Sequence, residues 1–209
     1  MRPGCNPALI RYYITDRTQL GTTESERTAR LLACVRRACA AAVDYVQLRE
    51  KDLPLGDLER LAREVLRVMG EGERGPKLLI NSRADVALAV GADGVHLPSG
   101  VGALPASEVR ALWAKVNGVA PVIGVSCHSL DEVLRAEAHG ADFAVFGPVF
   151  DKKGVGNQNG LELLRDICHS PQRARPAMPT LALGGVTEQN AAECMTAGAA
   201  GIGGIRMWQ

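Results

Sequence analysis

The amino-acid sequence predicts an α/β fold: a single (β/α)8 TIM barrel of parallel strands over residues 1–209, with the eighth helix missing or truncated. Three observations predict it. Short apolar runs alternate with longer stretches whose apolar residues recur at steps of three and four, as expected for strands buried on both faces between amphipathic helices. Counting along the chain gives eight strand-like runs separated by seven helical segments. Eight parallel strands joined by right-handed crossovers suit closure, with an open doubly wound sheet as the alternative. Last, Gly91-Ala92-Asp93, Gly140-Ala141-Asp142 and Gly198-Ala199-Ala200 each separate a helix from the next strand. A glycine there ends the helix in the left-handed conformation at little cost.

The first run, residues 9–16, is followed by a helical pattern over 25–42. The second, 44–49, precedes a helix over 55–69, where Pro54 suits the helix entrance and Leu58, Leu61, Val65 and Val68 share one face. The third run, 77–81, leads to a helix over 84–90, and the fourth, 94–97, to a helix over 107–116. The second half repeats the cycle with a strand at 121–126, a helix at 130–139 and a strand at 143–146. A Gly/Asn-rich stretch, 147–159, carries Lys152 and Lys153 and interrupts the periodicity, so it is expected to form a mobile cover over a site. A helix near 161–168, a strand at 180–183, a helix at 188–197 and a strand at 201–205 complete the series.

Composition narrows the function classes. With 24 Lys+Arg against 23 Asp+Glu, the chain has no global field to draw in nucleic acid or an anionic membrane, so any anion must be held locally. No apolar stretch reaches the roughly 20 residues of a membrane span, and the N-terminus lacks a signal-peptide core, which leads us to expect a cytoplasmic protein. The six cysteines are scattered without a C-x-x-C pair, which predicts reduced, packed thiols rather than a disulfide framework or a zinc site. An uncovered eighth face ending at Trp208 would permit a homodimer; alternatively Met207 and Trp208 fold back as a cap.

In such a barrel the reacting groups lie where strands end, so the polar residues closing each apolar run are the candidates. Strand alternation sends Gln47, Arg49 and Lys51 to one side, an arrangement able to grip an anion. Alternatively Arg49 and Lys51 pair with Glu50 or Asp52 at the surface. Asn81 closes the third strand and Ser126 the fifth. Gly184-Gly185 before a helix, and Gly203-Gly204 followed by Arg206 after the last strand, resemble a phosphate cradle of exposed backbone amides. His128 can act as general acid or base because imidazole titrates near neutral pH. A Cys127–His128 nucleophile pair is disfavoured, because adjacent residues rarely face one another. His96, between Val95 and Leu97, reads as a buried hydrogen-bonded partner.

Seven segments in one order carry a resemblance: Tyr13-Ile14-Thr15-Asp16, Val46-Gln47-Leu48-Arg49-Glu50-Lys51, Leu79-Ile80-Asn81-Ser82-Arg83-Ala84-Asp85, Gly91-Ala92-Asp93-Gly94-Val95-His96-Leu97, Gly124-Val125-Ser126, Phe146-Gly147-Pro148-Val149-Phe150 and Leu183-Gly184-Gly185-Val186. Together they resemble the superfamily of thiamin-phosphate synthases and TenI-type thiazole tautomerases. The resemblance implies a barrel that binds a thiazole phosphate on the Gly184-Gly185 and Gly203-Gly204 backbones. A synthase would join the thiazole to an aminopyrimidine diphosphate and expel pyrophosphate with the help of Mg²⁺.

The resemblance also locates a departure. Synthases carry metal-binding Asp residues after strands three and four, where this chain has Asn81-Ser82 and Leu97-Pro98-Ser99-Gly100. Hard Mg²⁺ favours carboxylate oxygens, which two serines do not supply. The His-Leu-Pro-Ser turn and the Ser-x-His-Ser sequence at Ser126 to Ser129 are similar to the tautomerase branch, in which the histidine moves the proton. The expectation is a metal-independent thiazole tautomerase with His128 as acid/base and no cofactor. Its substrate-binding groups would be Gln47, Arg49, Lys51, Asn81, Ser126, Lys152 and Lys153. A Mg²⁺-dependent synthase is the alternative, and a non-catalytic binder of thiamin-pathway phosphates is a third.

Overall fold

The computed structural model describes residues 9–71, 75–100, 102–116, 118–150 and 158–209. Eight parallel strands close into a barrel in chain order: β1 (Ile10–Ile14), β2 (Tyr45–Leu48), β3 (Lys77–Asn81), β4 (Gly94–Leu97), β5 (Val122–Cys127), β6 (Phe143–Phe146), β7 (Thr180–Ala182) and β8 (Gly201–Gly204). The pairing of Ile10 with Gly201 and of Tyr12 with Gly203 seals the last strand to the first, which removes the open-sheet alternative. Among the described residues seven α-helices connect them: α1 (Glu24–Ala40), α2 (Leu55–Met69), α3 (Ala84–Val90), α4 (Ala106–Val116), α5 (Leu130–Ala138), α6 (Gln158–His169) and α7 (Ala191–Thr196).

Local chemistry sets these boundaries. Thr23 and Glu26 form a reciprocal capping box that starts α1. Leu58, Leu61, Ala62, Val65, Val68 and Met69 make the buried stripe of α2. Gly91, Gly140 and Gly198 all adopt positive φ where helices give way to strands, as their spacing predicts. Most elements lie within two residues of their expected bounds, and two helices start three residues away. Helix α6 begins at Gln158 rather than 161, and α7 covers only six residues because Asn190 and Thr187 hold a turn ahead of it. Two short 3-10 turns, Arg17–Gln19 and Arg206–Trp208, carry no periodicity and were not foreseen.

The core has two layers. Inside the barrel pack Tyr12, Ile14, Leu79, Phe143, Val145 and Leu181. A larger shell, including Leu31, Val65, Ile80, Trp113, Ile123, Phe146 and Leu164, fills the space between strands and helices. After β8 no α-helix follows among the described residues; Met207 and Trp208 fold back onto the shell, and Trp208 meets Tyr13 edge-on at 5.9 Å, as in the capping alternative. Among the described residues no helix is long and apolar enough to cross a membrane. The five described cysteines are free thiols, with Cys34, Cys127 and Cys194 buried.

Candidate active site

The carboxyl ends of the strands surround a cavity of about 800 Å³. It collects Gln47, Arg49, Lys51, Asn81, Ser126, His128, Gly184, Gly185, Gly203, Gly204 and Arg206, the described residues expected there from sequence. Lys152 and Lys153, with most of the expected cover, lie outside the described residues.

The cationic side is built from β2. Glu50, the central residue of the Arg49-Glu50-Lys51 triplet, turns inward and is buried, where Thr15 Oγ and the backbone N–H of Arg17 donate to it. Burial pushes its carboxyl up, while Thr15 and Arg17 pull the other way. Arg17 is itself buried and also pairs with Asp52 at 2.7 Å. The carboxylates that might have neutralised Arg49 and Lys51 are therefore taken by Arg17. Neither cation forms an ion pair with a described carboxylate, and both are left facing the cavity. Thr15 Oγ also accepts from the Arg49 backbone N–H at 3.0 Å, fixing the strand end.

Gln47 is 2 % exposed; its amide N–H donates to Asn81 Oδ1 at 2.8 Å, and its Oε1 has no described partner. An unpaired buried acceptor lining a cavity is a position that a ligand donor would satisfy. Ser82 follows with φ +59°, an uncommon left-handed conformation for serine, held by its N–H donating to the His96 carbonyl.

Opposite lies the glycine side. Gly184 and Gly185 both adopt left-handed φ, +92° and +64°, and their amide N–H groups donate to no described residue. A Cβ on Gly184 would stand 2.7 Å from Pro148, so the close approach also requires glycine. Asn190 braces this turn by donating to the Gly185 carbonyl and accepting from the Thr187 N–H. The expected helix does not begin directly after the glycines. The cradle is thus one of turn amides, without the helix N-terminus that sequence suggested.

His128 stands exposed at the end of β5, just before the N-cap Ser129. Its Nδ1–H donates to the Gly147 carbonyl at 2.6 Å, which leaves Nε2 as the ring nitrogen without a described partner. Its backbone N–H donates to Glu132, which also accepts from Ser99. Cys127 turns away into the shell, and burial pushes its thiol up to about 12, so it cannot serve as a thiolate beside His128. His96 is buried between Tyr12 and Ser126, and burial holds its imidazole down at about 3.

Sequence reasoning missed Tyr12, Gln19, Glu132 and Asn190, of which only Gln19 touches the cavity. The alternation Ile10-Tyr12-Ile14 was the available signal for Tyr12. Glu132 and Asn190 sit in ordinary helix-start positions that carry no mark of the site.

The resemblance implies Mg²⁺ for a synthase, so the donor set matters. No Asp or Glu lines the described cavity, and no group of three His, Cys, Asp or Glu among the described residues is placed to share a metal. Ser82 and Ser99 offer neutral hydroxyls where carboxylates would be needed, and Glu132 is occupied by Ser99 and His128. The described residues do not fit a protein-held Mg²⁺.

A family model described as thiamine monophosphate synthase matches residues 12–207. A Geobacter sulfurreducens protein named "Putative thiamine-phosphate synthase" is 43% identical over 194 residues, covering 91% of this chain and 82% of that one. An Aquifex aeolicus protein named "Putative thiamine-phosphate synthase 2" is 38% identical over 199 residues, covering 94% and 96%. Among solved structures, "Thiamine phosphate pyrophosphorylase from Pyrococcus furiosus" superposes with a TM-score of 0.73 at 31% identity, covering 95% of this chain and 86% of that one.

Proposed function

The chain belongs to the thiamine monophosphate synthase family, and from that premise we propose that its barrel mouth binds a thiazole phosphate and that His128 moves a proton on the bound ring without help from a metal. The phosphate sits on the amides of Gly184, Gly185, Gly203 and Gly204, with Arg206 beside them. Arg49 and Lys51 hold a carboxylate or other anionic group at the opposite side, so the ring is fixed from both ends. With Nδ1–H committed to Gly147, neutral His128 keeps a lone pair on Nε2. It takes a proton from one ring position and, as imidazolium, returns one at another, so the net change is an isomerisation.

The single observation behind this reading is the mouth's composition: an imidazole and unpaired cations face a glycine cradle, and no described carboxylate lines the cavity. General acid–base catalysis of this kind supplies about 10²–10⁴-fold. The test is to follow isomerisation of a carboxythiazole phosphate with the wild-type protein and with His128→Gln; equal rates would remove His128 from the reaction.

A second reading has specific support. The relatives are named as thiamine-phosphate synthases, which favours a transferase over a tautomerase. On that reading the same cradle binds the thiazole phosphate, and Arg49 and Lys51 face an aminopyrimidine diphosphate. Formation of thiamin phosphate from the two substrates with Mg²⁺ would establish it, and its absence at high protein concentration would exclude it. Binding of thiazole phosphate with neither turnover would leave a carrier or sensor.

A further inference from the structure

A buried chain of three side chains crosses the barrel and ends in the cavity. Tyr12 on β1 reaches over the axis to β4, where its Oη lies 2.8 Å from His96 Nδ1, and His96 Nε2 lies 2.8 Å from Ser126 Oγ on β5. Tyr12 is fully buried, while His96, 3 % exposed, and Ser126 both line the cavity. The His96 ring stacks on Tyr12 at 5.6 Å. Gly124 makes room for it, since a Cβ there would stand 3.0 Å from Nδ1 and 2.6 Å from the Phe143 ring.

The direction of these hydrogen bonds follows from counting donors. Tyr12 carries one hydroxyl proton, and among the described residues His96 Nδ1 is its one polar partner. If Nδ1 carried a hydrogen, the buried tyrosine proton would have no acceptor, at a cost of about 1–3 kcal/mol. Tyr12 therefore donates and Nδ1 accepts. Burial, reinforced by the Arg49 charge, keeps the imidazole neutral. Its one N–H is then on Nε2 and donates to Ser126 Oγ.

We infer that Tyr12 and His96 are positioning residues that fix Ser126 as a hydrogen-bond donor toward the cavity, selecting a ligand atom that bears a lone pair. Ser126 accepts from His96 Nε2–H with one lone pair, so its own O–H points away from His96 and is free to donate to a ligand. A carboxylate oxygen or an unprotonated ring nitrogen fits that donor. The identity of that ligand as a thiazole phosphate rests on the proposed function, but the polarity of Ser126 does not.

The test is a ¹⁵N–¹H long-range correlation spectrum of the full-length protein, which shows which imidazole nitrogen is protonated. The expected result is a single Nε2–H tautomer for His96, unchanged from pH 6 to 8. An Nδ1–H tautomer, or titration of His96 in that range, overturns the inference without any variant. Tyr12→Phe keeps the packing ring and removes the donor, so the tautomers should mix. KM for carboxythiazole phosphate should then rise about three- to tenfold while inorganic phosphate binds as before. A single unchanged tautomer in Tyr12→Phe, or equal weakening of both ligands, would show that Tyr12 only packs. If the tautomer is as stated but the thiazole does not bind, the ligand reading fails and the polarity of Ser126 stands.

Discussion

His128 Nδ1 lies 2.6 Å from the carbonyl oxygen of Gly147, a contact that ties the end of β5 to the end of β6. The carbonyl can only accept, so it fixes which imidazole nitrogen carries hydrogen. His128→Gln should lower kcat for isomerisation of a carboxythiazole phosphate about 10²–10⁴-fold with little change in phosphate affinity. Steady-state kinetics beside phosphate titration calorimetry checks both halves.

Neighbouring cations just after β2 and in the turn after β1 should separate function from stability. Arg49 and Lys51 form no ion pair with a described carboxylate, so Arg49→Ala or Lys51→Ala should shift stability by less than about 0.5 kcal/mol while weakening binding of the anionic substrate. Arg17 is buried against buried Glu50. Arg17→Ala should cost about 3–5 kcal/mol by stranding that carboxylate. Urea unfolding and ligand titration of the three variants distinguish the two classes.

Gly184→Ala introduces a methyl 2.7 Å from Pro148 at φ +92°. The expected cost is about 1–3 kcal/mol from strain and displacement. The turn amides should move with it, so affinity for inorganic phosphate should fall as well. Thermal melts with and without phosphate measure both, and the wild-type stabilisation by phosphate should shrink in the variant.

Acid sensitivity should trace to His96. Burial holds its imidazole at about 3 in the folded chain, against 6.5 when unfolded. Between those values the unfolded chain binds a proton that the folded chain does not. Stability from this group is therefore complete above pH 6.5 and falls as pH drops toward 3, by at most about 1.4 kcal/mol per pH unit. Urea midpoints from pH 7.5 to 4.5 should fall less steeply in His96→Asn than in the wild type.

The barrel was legible in the sequence because each strand is a short apolar run and each helix carries a 3.6-residue stripe; α2, β3, α3, β4 and β6 have the expected bounds. The mouth was legible because strand ends supply it, so Arg49, Asn81, Ser126 and His128 follow from register alone. What was hidden depends on distant partners. That Arg49 is unpaired depends on Arg17 taking Glu50, a contact 33 residues apart in the chain. The length of α7 depends on how Asn190 and Thr187 share hydrogen bonds, which periodicity does not record. Tyr12 and His96 meet 84 residues apart, and only barrel closure brings them together. The resemblance gave the family, while the relatives' names favour the transferase over the tautomerase expected from Ser82, Ser99 and His128.

The most direct measurement is the turnover of a carboxythiazole phosphate by the wild-type protein in excess EDTA, followed by the change in ring absorbance. The account predicts isomerisation at an undiminished rate, abolished by His128→Gln. No isomerisation in EDTA, together with magnesium-dependent formation of thiamin phosphate once an aminopyrimidine diphosphate is supplied, would contradict it.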